Sequence, residues 1–281
     1  INNSGVGTIS VAGGGATLNV TDALTNSSSA PVGISVAAGG TLQGSGSGTT
    51  LTNNAGSTIT SAGALFVGNA ISNAGALNIT GGTAGNVTNT AATSAVSNSG
   101  TVASLVNTLG TFTNNATGIV TGTTTITDGT VTNSGNLSTA STVTIAAAGT
   151  LTNNLNAGAV TNNGSTTSTN ATTGTMASLD NNSGTFANSG IVSGTTTVDG
   201  GTVTNNTATG DLQGATTVAV GATLDNNALA NTAAVTNSGT VTNSGTMASL
   251  VNTLGTTTNE ASGVVTGQTD VNGGAVDNDG T

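Results

Sequence analysis

The sequence predicts an all-β chain wound as a parallel β-solenoid, a right-handed β-helix with a left-handed β-helix as the alternative. Three observations carry that expectation. Long phrases recur at steps of about 70 residues, short runs alternate apolar with polar residues, and Asn and Gly recur where the runs stop. Coils that stack on one another bury small inward side chains in columns, so neither long strands nor bulky residues are needed to make an interior.

The phrase from Gly100 to Thr111 returns from Gly245 to Thr256, an offset of 145 residues, and in altered form from Gly174 to Thr185. Each copy continues alike, through Gly118-Ile119-Val120, Gly190-Ile191-Val192 and Gly263-Val264-Val265. One solenoid array over 1–281 is therefore expected, a fragment of a longer repetitive protein, with related units near 100–173, 174–244 and 245–281. Units of this length fit three or four coils of roughly 18–24 residues. Two consecutive hexads from Val235 to Thr246 are the reason for keeping the left-handed alternative, because hexapeptide repeats build that form.

Within the units the strands are short. Ile34-Ser35-Val36, Val143-Thr144-Ile145 and Val218-Ala219-Val220 put apolar residues two apart, on one face, and each is followed by Gly. The glycines after them, and those of the Asn-Ser-Gly phrases, are expected to supply a positive φ at the corners. Asn at equivalent corners is expected to form side-chain amide ladders along the stack. Leu105 and Leu179, and Val102 with the aligned Met176 and Met247, should point inward. Phe112 and Phe186 share one repeat position and read as core plugs.

Composition removes most chemistries. The 281 residues include 44 Gly and one Pro but no Lys, Arg, His or Cys, and the net charge is −10. No imidazole or thiolate can act as base, nucleophile or metal ligand. No cation can neutralise phosphate, so nucleic acid is not an expected partner. Leu, Ile, Val and Phe make up about a fifth of the chain, near the level of disordered sequences, yet the 4% of charged residues and the single proline are unlike them. No apolar run approaches the ~20 residues of a transmembrane helix.

The stretch from Val36 to Gly46, the stretch from Val131 to Leu137, and the Asn-Ser-Gly-Thr corners at Asn237 and Asn243 resemble the passenger regions of autotransporters and filamentous-haemagglutinin-like exoproteins. The likeness is one of repeat style and extends over nearly the whole chain. It implies a right-handed parallel β-helix that is secreted or displayed on the exterior of the Gram-negative outer membrane. It also implies a structural or adhesive rod mediating adhesion, aggregation or filament formation, without catalysis. Partners would be further copies of itself or a host or cell-surface ligand. A self-assembling surface-layer or extracellular filament subunit is the first alternative, an ice-binding β-solenoid the second, and a β-helix polysaccharide-active enzyme the third.

Few residues offer a site. Asp277 and Asp279 could pair as the carboxylates of a glycosidase, but only Phe66, Phe112 and Phe186 could stack on a sugar. No cofactor is expected. Calcium is the one candidate metal, with Asp270, Asp277 and Asp279 as weak ligands beside Asn272. Neither an EF-hand spacing nor a Gly-Gly-x-Gly-x-Asp repeat accompanies them. Thr123, Thr125 and Thr127, with Thr195 and Thr197, alternate along their segments and form a candidate surface array able to order water or bind a partner by shape.

Overall fold

A computed structural model describes residues 1–46, 48–206 and 209–281. The chain folds into two compact units, 1–142 and 143–281. Each is a parallel β-solenoid, and the described residues contain no helix. Among the described residues the strand pairings are parallel and join one coil to the next, as the repeats imply.

The strand Thr175–Asn181 shows how a coil is built. Met176 points inward, Ala177 and Ser178 both lie outside, and Leu179 and Asn181 point inward again. The lost alternation marks a bend that divides the strand between two sides of the coil. After a short corner, Thr185–Asn188 makes the third side, with Phe186 and Asn188 inward. The chain then closes the turn, and Ile191 and Val192 pair with Thr175 and Met176. Successive partners Thr175, Ile191, Asp211, Asn231 and Thr246 give steps of 16, 20, 20 and 15 residues.

The first unit follows the same plan with wider variation. Thr83, Thr101, Ile119 and Asn136 are partners at steps of 18, 18 and 17, whereas Ala23 and Thr50 stand 27 apart. The expected range of 18–24 residues is thus too narrow at both ends. Corners absorb the difference, because backbone outside the ladders can loop into solvent without disturbing the columns.

The interior is made of these columns. Leu105, Leu179 and Leu250 are at most 1% exposed, as are Val102, Met176 and Met247. Phe112 and Phe186 are buried as well. Phe186 lies between Ser168 in one neighbouring coil and Val203 in the other, so the small serine makes room for the ring. Two kinds of coil alternate in places. Coils with an unbroken first strand carry Leu or Val and then Asn inward on the second side, as Leu179 and Asn181 or Val160 and Asn162 do. Where a glycine splits the strand, as Gly194 does, the same places hold Thr196 and Val198.

The glycines at the corners differ from expectation in part. Gly184 and Gly5 do take positive φ, 64° and 63°. At Gly135, Gly239 and Gly245 no positive φ occurs, and the constraint is space: a Cβ would strike the backbone carbonyls of Gly118, Ala219 and Ala230 in the adjoining coil. Stacking at ~4.8 Å per coil leaves no room there for a side chain.

Candidate functional site

The most ordered polar features are the buried asparagines. In the second unit one ladder runs through Asn153, Asn170, Asn188, Asn205, Asn226, Asn243, Asn259 and Asn278. Each Nδ2 donates to the next Oδ1 at 2.6–2.9 Å. In the first unit a ladder on the second side joins Asn3, Asn26, Asn53, Asn73, Asn89 and Asn107 at 2.8–3.0 Å. It stops where Ile126 takes the next place.

The second amide hydrogen finds a backbone carbonyl, as from Asn205 to the carbonyl of Asn231 at 2.8 Å. At some Asn-Ser-Gly corners the Oδ1 also accepts the glycine N–H, at 3.1 Å from Gly100 to Asn98 and 2.8 Å from Gly239 to Asn237. Inside the stack the amides are buried yet bonded, which removes the penalty for taking them out of water, while Asn278 ends the second ladder at an exposed position.

Outward residues form the columns that a partner would meet. The candidates Thr123, Thr125 and Thr127 do lie outside, at a corner, on the strand Thr124–Ile126, and just beyond it. Thr195 and Thr197 take the corresponding places. The column through Thr125 reads Thr52, Ser72, Thr88, Val106 and Thr125. That through Thr197 reads Thr161, Asp180, Thr197, Thr217, Thr236, Val251 and Asp270. Both are mixed, so these candidates belong to interrupted rows.

A more regular array lies on the third side of the second unit. Thr167, Thr185, Thr202, Thr223, Thr240 and Thr256 stand in register in six successive coils. Two residues on, a second outward column holds Thr169, Ala187, Thr204, Asp225, Thr242 and Thr258. Sequence reading overlooked it. The available signal was the phrase Thr-x-Thr-Asn, seen at Thr167, Thr202, Thr240 and Thr256, in which the ladder Asn fixes both threonines outward.

The acidic candidates do not converge. Asp270 lies on the second side and accepts a hydrogen bond from Gln268 at 2.6 Å, whereas Asp277 lies outward on the third side and Asp279 in the corner after it. Among the described residues no group of three acidic side chains is placed to hold a metal ion. Partial burial on the third side raises the pKa of Asp225, partly offset by a hydrogen bond from Thr242.

No family model, no curated protein and no solved structure matches the chain significantly. What it can do must be read from its own surfaces. No helix among the described residues is long and apolar enough to cross a membrane. The outward columns offer hydroxyls, methyls and amides but little charge. Such a surface suits many weak, repeated contacts better than one concave site.

Proposed function

We propose that the chain is a structural and adhesive repeat segment displayed on the exterior of a Gram-negative cell, mediating adhesion, aggregation or filament formation without catalysis. The eight-asparagine ladder of the second unit carries this reading. A fully bonded polar column inside a stack makes each coil support its neighbours, which favours a stiff spacer. Large uncharged outward faces supply the contacts, with a second copy or a cell-surface ligand as partner.

The resemblance to autotransporter passengers and haemagglutinin-like exoproteins supports the same reading and the exported location. A surface-layer or extracellular filament subunit would use the same physics, with faces committed to self-assembly.

The test is display of the whole chain on a non-adherent host cell, scored for clumping and for attachment to surfaces. Removing one complete coil, residues 191–210, should preserve folding and weaken both. Asp277→Ala with Asp279→Ala should leave both unchanged. Displayed chains that neither clump cells nor attach them would refute the proposal, as would polysaccharide turnover that the double substitution abolishes.

A further inference from the structure

We infer that the third side of the second unit is an ice-binding face. The inference goes beyond the adhesive role and does not depend on it. Its basis is the two in-register columns headed by Thr167 and Thr169. Parallel pairing sets neighbouring threonines ~4.8 Å apart along the stack, and the two columns ~7 Å apart along each strand. The result is a two-dimensional lattice of hydroxyl and methyl groups.

Strand preference alone does not account for it. In the same coils the leading outward residues of the first side are Thr175, Ile191, Asp211, Asn231, Thr246 and Val264. Both sides are strands under the same backbone preference, yet only the third side keeps Thr six times running. Thr202, Thr223 and Thr240 are exposed or half-buried, so their hydroxyls meet solvent. Threonine is also stiff at χ1, and each is hemmed by its neighbours above and below, so little rotamer freedom is lost on binding.

The chemistry selects the ligand. A dissolved sugar or peptide exchanging hydrogen bonds with water gains little from isolated hydroxyls. The face carries no cation and no aromatic ring to add more, since Phe186 points into the core. A ligand that itself repeats in two dimensions can engage every row at once, and many weak contacts then act as one strong one. Ice is such a ligand, made of the solvent that already hydrates the lattice. Two residues interrupt the second column: Ala187, which lacks a hydroxyl, and Asp225, a charged carboxylate that draws the hydroxyl of Thr242 toward itself.

The experiment uses the full chain and measures partition into slowly grown ice, together with thermal hysteresis. Wild type should enter ice and show hysteresis. Thr202→Lys with Thr240→Lys should reduce both severalfold, while Thr217→Lys with Thr236→Lys, on the second side, should leave both near the wild-type level. Asp225→Thr, which removes the charge and leaves Ala187 as the remaining gap in the second column, should increase both. Circular dichroism establishes that each variant is folded, and the gain expected from Asp225→Thr tests the idea even if a lysine pair unfolds. Exclusion of wild type from ice, equal loss from both lysine pairs, or self-association through this face without any effect on ice would overturn the inference.

Discussion

Nδ2 of Asn188 donates to Oδ1 of Asn205 at 2.8 Å, and Asn205 in turn donates to Asn226 at 2.9 Å. All three are buried in the centre of a stack. Asn205→Ala leaves an acceptor and a donor unpaired in its two neighbours, at a cost of about 1–3 kcal/mol. Asn227, exposed and with its Nδ2 donating to Asn206 at the surface, is the control. Asn227→Ala should stay within about 0.5 kcal/mol of wild type. Denaturant unfolding of the two variants compares them, and equal costs would mean that the ladder adds nothing beyond an exposed amide pair.

Gly122 donates its N–H to the carbonyl of Ala103 at 2.7 Å, and a Cβ placed on it would lie 2.5 Å from that oxygen. Gly122→Ala therefore forces two coils apart and should cost about 1–3 kcal/mol. A Cβ at Gly48 meets nothing within 4 Å. Gly48→Ala should be neutral, or stabilising by up to about 1 kcal/mol through the unfolded chain. Thermal melting of the pair reads the contrast, and similar melting points would show that coil spacing gives way easily.

Phe186→Ala empties the largest side-chain volume at its level and should cost about 3–5 kcal/mol. The aligned place in a later coil holds Thr257, whose hydroxyl accepts from Asn237 at 3.0 Å and donates to Asn252 at 3.2 Å. Asn162 and Asn181 hold the corresponding places beside Phe186, bonded to each other at 2.7 Å, so Phe186→Thr can bond as Thr257 does and should cost less than alanine. Chemical denaturation that ranks threonine no better than alanine would contradict this account.

Burial raises the pKa of Asp225 in the folded chain. The folded state therefore binds the proton more tightly than the unfolded state. Stability associated with this group is present below the ordinary carboxylate range and declines as pH rises toward the raised value. Asp225→Asn should remove that decline. Unfolding free energies of both proteins across the acid range give the difference, and parallel pH profiles would rule the effect out.

Much of the fold was legible in local text. The alignment of Leu105 with Leu179 and Leu250 identifies inward columns, since a repeat can stack only if equivalent residues face the same way. The amide ladders followed from Asn at equivalent corners. The exchange of Leu179 and Asn181 for Thr196 and Val198 was harder to read, because a buried threonine is distinguished from a surface one only by its neighbours. Thr124, for instance, is buried with its hydroxyl 3.0 Å from that of Ser138, in the following coil. The candidate face was missed for a related reason: Thr123, Thr125 and Thr127 lie together in one coil, whereas a surface array is made across coils.

By itself the sequence determined that this protein is a parallel stack with asparagine and small apolar residues inside, because periodicity and composition admit few other ways to bury so little apolar surface. Only the tertiary structure decided which residue lies above which. Coil lengths between 15 and 27 residues break any fixed period, so register is set by hydrogen bonding between coils. That register alone turned scattered threonines such as Thr185, Thr202 and Thr223 into neighbours.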